Sequence, residues 1–294
     1  MSEKEQISEK FAVNQASAAG IIISVKENPN KAACNVTIMV NDEKGDNAKP
    51  KFLNAYISGE ERFKNFMESY NQAKANDLGS NQLGKQYQPA IHVTGVLYFS
   101  TNETNGIKNQ NASIIVQSDC KEKTDKYQIT TTKEELLSFR KEFDNTNPKV
   151  NNVEIRADIA TDPQVIKTKS GAELNKFNIK HNYIQNETKK TSFAQVLIPP
   201  ALKTQLKAAQ VQKGIPIQLN AKLQPSSYLN KDGKSVNTFT LVAKSISRDF
   251  AQTVSTTNAI KAVDKVAEVS KKTERLKEAK VQKEILKPSK QQQT

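Results

Sequence analysis

Apolar and polar positions alternate with a period of two over short stretches of this chain, and turn-forming residues separate the stretches. Two β-branched runs, 20–25 and 35–40, flank the segment ENPNK, so a strand pair is predicted there. Over 51–57, Phe52, Asn54 and Tyr56 alternate with Leu53, Ala55 and Ile57, which predicts a third strand. The period then changes: Phe63, Phe66, Met67 and Tyr70 stand at i, i+3, i+4 and i+7 beyond Gly59, the spacing of one helix face. Strand character returns over 91–99 and 113–116, on either side of a turn signal at Asn105 and Gly106.

The order β-β-β-α-β-β is that of an OB barrel. A short helix is predicted over 132–143, where Thr132 and Glu135 form a capping box, and DNTNPK then breaks it. From Asn152 the order repeats: strands over 153–160, 174–181 and 192–198, a helix over 200–210, and strands over 215–223 and 238–245, with turns at Ser170-Gly171 and Asp232-Gly233. The fold class expected is therefore mainly β, two tandem OB-fold β-barrels with a helical or disordered basic C-terminal tail. The expected division is a polar leader (1–14), a first module (15–128), a helical linker (129–150), a second module (151–249) and the tail (250–294). Beyond Phe250 there is no aromatic residue, and unevenly spaced apolar positions suggest a marginal amphipathic helix ahead of the polar end KPSKQQQT.

Charge separates the modules. The net charge is +13, yet residues 1–150 carry 19 basic and 19 acidic side chains. Residues 151–250 carry 15 against 7, and residues 251–294 carry 10 against 5. An anionic partner would be held mainly by the second half. The charged start and the lack of any long apolar run speak against a secretory signal or a membrane span. Cys34 and Cys120 have no metal-ligand spacing, which points to small buried residues in a reducing cytoplasm.

No catalytic constellation emerges. His92 and His181, the only histidines, lie singly on predicted strands away from any zinc pattern, and no phosphate loop, GxSxG elbow or HExxH occurs. Neither an enzyme nor a cofactor or metal is expected. The second module does interleave aromatic residues with cations: Lys176 with Phe177, Lys180 with Tyr183, Lys189 and Lys190 with Phe193, and Tyr228 with Lys231 and Lys234. Unpaired bases stack on such rings for about 1–3 kcal/mol each without reading sequence, while cations neutralise phosphates and release counterions. Barrels also need aromatic residues inside. Phe177 and Phe239 fit the core, whereas Tyr183, ending a strand beside a polar loop, and Tyr228, placed in the loop SSYLNKDGK, fit an exposed role.

Three pieces of the second module carry a family resemblance: NNVEIRADIATDPQVIKTKSGAELNKFNIKHN, TSFAQVLIPPALKTQLKAAQVQKGIPIQLNAKL and SYLNKDGKSVNTFTLVAKSI. Together they resemble the bacterial-type single-stranded-DNA-binding protein (SSB) family over about residues 151–248. The resemblance implies a protein that coats and protects single-stranded DNA in replication or recombination, largely without sequence preference. It places base-stacking positions on Tyr183, Phe193 and Tyr228, where the family commonly has tryptophan. Arg156 and Ala221 stand where it commonly has glycine. With Arg156, Lys180, Lys189, Lys190, Lys222, Lys231 and Lys234 as phosphate partners, and Tyr98 and Phe99 (with Tyr56) as stacking or packing residues of the first module, these form the candidate binding set. Four barrels per assembly, by analogy with the family, imply a homodimer. The family's acidic tail for recruiting repair enzymes is replaced by a basic one, so that recruitment is not expected; a bacterial cell, or one infected by a bacteriophage, is the expected setting. The alternatives are RNA binding, since stacking does not distinguish the sugar, and an OB-type protein-interaction scaffold.

Overall fold

Burial follows the period-two pattern. In β7 (Asn151–Ile159) every second residue, Asn151, Val153, Ile155, Ala157 and Ile159, is buried and those between are half exposed. The computed structural model describes residues 14–43, 49–80, 83–104, 106–116, 127–144, 146–168, 171–185 and 188–248, without the side chains at 29, 104, 183–185 and 188–190. The leader through residue 13, Asn105, Cys120, Ser170 and the basic tail from residue 249 lie outside the described residues.

The first module contains β1 (Asn14–Asn28), β2 (Ala33–Val40), β3 (Lys51–Ser58), α1 (Glu60–Ala75), β4 (Ala90–Thr104) and β5 (Ile107–Val116). Its antiparallel pairings run β1–β2, β2–β3, β5–β4 and β4–β1, with a parallel β3–β5 step, so the strands form a closed cycle. After β6 (Tyr127–Ile129) and α2 (Lys133–Glu142), the second module has β7, β8 (Gln164–Lys167), β9 (Glu173–Gln185), β10 (Thr188–Ile198), α3 (Lys203–Ala208), β11 (Pro216–Leu229) and β12 (Ser235–Arg248). It repeats the cycle as β7–β9–β10–β12–β11–β7, again with one parallel step, β10–β12. The molecule is mainly β, in the strand order of the OB fold.

Local chemistry explains the boundaries. Thr132 caps α2 as its spacing predicts: Glu135 N–H donates to Thr132 Oγ1 (3.2 Å), and the Glu135 carboxylate accepts from Thr132 N–H (3.2 Å). β4 is longer than predicted because successive parts of it pair with different neighbours, β1 and β6 over its first part and β5 from Val96 onward, with Gly95 at the changeover. A Cβ there would collide with the carbonyl oxygen of Ile115, so the close backbone approach requires glycine. The helix predicted over 200–210 is shorter, a 3-10 turn at Pro200–Leu202 followed by the six residues of α3.

The two cycles are fused rather than strung on a linker. β1 and β7 pair antiparallel, which makes one twelve-stranded sheet. The registers give this junction an approximate two-fold symmetry. Ile21 pairs with Met39 and Ala90, as Asp158 pairs with Lys180 and Pro216, which makes Ile21 and Asp158 equivalent. The same count makes Ala16, opposite Gly95, equivalent to Val153, opposite Ala221, and Ala16 pairs with Val153 across the junction. The contacts of β3 with β11 and of β10 with β4 are likewise exchanged equivalents. This is the geometry of an isologous interface within one chain.

Side chains lock the junction. Phe99 of β4 stacks on Phe239 of β12, with centroids 4.9 Å apart and planes 3° from parallel. Asn14 Nδ2 donates to Leu97 O (2.9 Å) and lies 2.9 Å from His181 Nε2, while His181 Nδ1 lies 3.3 Å from Arg156 O. Donation from Nδ1–H to that carbonyl leaves Nε2 as the acceptor for Asn14. The Asp42 carboxylate, 4% exposed, meets Lys51 (2.9 Å) from its own module and Lys222 (3.5 Å) and Asn151 Nδ2 (3.0 Å) from the other. Burial alone would raise its pKa, but the hydrogen bonds and charge of Lys51, with Lys222 and Asn151, outweigh it and hold the carboxyl below its ordinary value.

Candidate nucleic-acid interface

The outer wall of the second cycle is built by the alternation of β7, β9 and β10. Ala194 and Val196 point inward and are buried, as are Phe177 and Ile179 opposite them, so Phe193 projects outward and is 56% exposed. Directly opposite Phe193 stands Lys180, and opposite Lys180 stands Asp158, their charged groups 3.7 Å apart. Both are substantially exposed, so this ion pair is weak and leaves Lys180 able to meet an external anion. Arg156 lies on the same face of β7, two residues from Asp158, and Lys176 lies four pairs along the hairpin from Lys180. An aromatic surface thus sits among cations on a rigid wall, an arrangement suited to a stacked base with its phosphates.

A second exposed element projects from the same cycle. Tyr228, expected in a loop, is instead a strand residue of β11 paired with Val236, because the β11–β12 ladder continues to Leu229–Ser235. The hairpin closes through Asn230, whose Oδ1 accepts from Asp232 N–H (3.0 Å) and Lys234 N–H (2.9 Å), with Gly233 at φ +72°. Tyr228 is 56% exposed, and Lys231 and Lys234 are exposed at the tip. Tyr183 and Lys190 pair through their backbones at the end of the β9–β10 hairpin, with Lys189 beside them; their side chains lie outside the described residues.

Two members of the candidate set are corrected. Phe99 is 4% exposed because its ring faces Phe239 between the modules, which leaves no face for a base. Lys222 is held at the junction: its Nζ donates to Asp42 O (2.9 Å) and its charge is countered by the Asp42 carboxylate. Tyr98 and Tyr56 are half-buried on the outward rows of β4 and β3. On that β3 row stands a residue outside the candidate set, Phe52, 50% exposed. Its signal in the sequence is the alternation of Phe52, Asn54 and Tyr56, in a module without the surplus of cations that marks the second.

The histidines have structural surroundings. His92 packs on the ring of Phe143 at 4.6 Å, and burial together with the charge of Lys149 pushes its pKa down to about 4. His181 is buried at the junction, and burial lowers its pKa against the opposing effect of its bond to Arg156 O. Cys34 is buried, and burial with the nearby Glu27 charge pushes its thiol up to about 12, which keeps it unreactive. Among the described residues no cluster of three or more His, Cys, Asp or Glu side chains could hold a metal ion, and no helix is long and apolar enough to cross a membrane.

A search of curated protein sequences returned no match. Among solved structures, the chain is similar to the wild-type single-stranded DNA binding protein from Thermus aquaticus, with 12% identity, a TM-score of 0.49, and coverage of 81% of this chain and 93% of that one. A Plasmodium falciparum SSB in complex with ssDNA is similar at 11% identity and a TM-score of 0.30, over 34% of this chain and 94% of that one. The family resemblance carried by the residues of the second module is shown in sequence: residues 150–249 match the model of the Single-strand binding protein family.

Proposed function

We propose that this chain binds single-stranded DNA, coating and protecting exposed strands without turning over a substrate. One observation carries the reading: within the part that matches the family, Phe193 is a half-exposed aromatic ring on a rigid barrel wall, directly opposite Lys180, with Arg156 and Lys176 farther along the same outward face. Such a wall offers stacking to every base and charge to every phosphate, but no base-edge code, so binding is sequence-tolerant. Tyr228 with Lys231 and Lys234 extends the surface along the β11–β12 hairpin, and Tyr183, Lys189 and Lys190 extend it along the β9–β10 hairpin.

The reading extends to replication or recombination in the cytoplasm of a bacterial or phage-infected cell, and to a homodimer that would gather four barrels in one assembly. The function is tested by competition: a labelled dT oligomer bound to the full chain is challenged with unlabelled dT, the matching RNA and duplex DNA. Displacement by dT far ahead of duplex supports the reading, displacement by RNA at equal or lower concentration would redirect it to RNA, and equal displacement by all would remove the single-strand preference. Light scattering of the full chain decides between monomer and dimer.

A further inference from the structure

A groove of about 810 Å³ runs between the modules, walled by β3 and β5 on one side and β11 and β12 on the other. Its volume lies in the range of sites that enclose a small ligand or part of a larger one. Phe52 lies in this groove with Asn54, Gln110, Asn111, Ser226 and Asn237, so an exposed ring stands among uncharged hydrogen-bonding groups, with the charged Glu43 and Lys49 also in the lining. Lys51, also in the wall, already meets Asp42 and Glu43 at 2.9 and 2.7 Å.

The ladder register says what Phe52 corresponds to. Across the first cycle the row reads Ile21, Met39, Phe52; across the second it reads Asp158, Lys180, Phe193. Phe52 is therefore the two-fold equivalent of Phe193, at the same outward position of the third strand, and the two rings are 50% and 56% exposed. The cations around Phe193 have no counterpart in that row, where Met39 replaces Lys180 and Ile21 replaces Asp158. A half-exposed phenylalanine loses its hydrophobic stabilisation to water unless something covers it, and amide and hydroxyl groups are the partners a base edge uses.

We propose that this groove is a second station for an unpaired base of the same single strand, with Phe52 as its stacking surface. The inference rests on the single-strand reading above and deepens it: the neutral first module binds DNA too, through stacking and base-edge hydrogen bonds rather than counterion release. Binding here adds affinity for longer strands with little added salt dependence.

The chain contains no tryptophan, so one introduced residue reports its own site. Full-length Phe52→Trp and Phe193→Trp are each titrated with a dT oligomer long enough to span both modules, and tryptophan emission is followed. We expect quenching in both, and several-fold weaker binding of the long oligomer by Phe52→Leu, with the slope against salt unchanged. Quenching of Phe193→Trp with undiminished emission from Phe52→Trp at saturation would overturn the proposal while leaving the single-strand reading in place. Failure of the unsubstituted chain to bind dT would overturn both. Should Phe52→Trp fold poorly, Ser226→Trp on the facing wall puts the same question, with the same two outcomes.

Discussion

At the level of single residues, the proposed role divides into separately testable parts, the wall around Phe193 and the hairpin carrying Tyr228. Phe193→Ala and Tyr228→Ala should each weaken single-strand binding by about 1–3 kcal/mol, with melting temperature little changed, as equilibrium titration and thermal unfolding would show. Lys234→Gln should instead flatten the dependence of log K on log salt by about 0.7 for one lost phosphate contact. Phe193 and Lys180 were legible as candidates because aromatic and cationic residues interleave in the second module. Phe99 was legible only as a stacking or a packing residue and Lys222 as a phosphate partner, because their contacts come from the partner module, through Phe239 and Asp42, and no periodicity within one strand reports a neighbour more than a hundred residues away.

The buried histidines give the fold a pH dependence. His92 and His181 have pKa values lowered by burial, so between those values and the unfolded value near 6.5 the unfolded chain binds more protons. Stability is then fully present above that unfolded value and is lost as pH falls, toward about 4 in the case of His92, at about 1.4 kcal/mol for each unit of pKa displacement. Denaturant midpoints measured from pH 7 to pH 4 should fall, and His92→Gln should flatten that fall. Asp42, whose carboxyl is held below its ordinary value, adds to the loss at the acid end of the range.

At the level of elements, the start of β1 went unread although Ala16 and Ala18 are buried, whereas β3, β7 and β9 were readable from their alternation, as was the helix whose capping box announces itself at Thr132. The ends of β4 and β11 were not. β4 continues because it pairs first with β1 and β6 and then with β5, and β11 continues because its hairpin outlasts the barrel wall; both depend on partners rather than on local pattern. Gly95 marks where the first of these demands is met. Gly95→Val should lower the melting temperature substantially, because the collision is with the backbone of Ile115 and cannot be relieved by a side-chain rotation. A Gly106→Val substitution provides the comparison: its Cβ would meet nothing within 4 Å, and only the strain of its φ of +73° opposes it.

At the level of the whole molecule, the repeat of element order was legible in the sequence, but its consequence was not. Two modules in tandem could swing on a linker; here β1–β7 pairing, the Phe99–Phe239 stack and the Asp42 cluster join them, and the described residues form one compact body. Asp42→Asn should weaken that union by removing the charge that Lys51 and Lys222 share, and one cooperative unfolding transition in calorimetry should give way to two. The symmetry also exposes a division of labour that composition only hinted at: equivalent rings, Phe52 and Phe193, stand in a neutral and a cationic setting. A strand crossing both would be held by charge at one end and by stacking and hydrogen bonds at the other.

The most direct measurement is a titration of the full chain with fluorescent poly-dT and with matched duplex DNA at several salt concentrations. We expect tight binding of the single strand that weakens steeply as salt rises, and far weaker binding of the duplex. Equal affinity for the two, or no measurable binding of the single strand at low salt, would contradict the single-strand role and leave a barrel pair whose basic wall serves another partner.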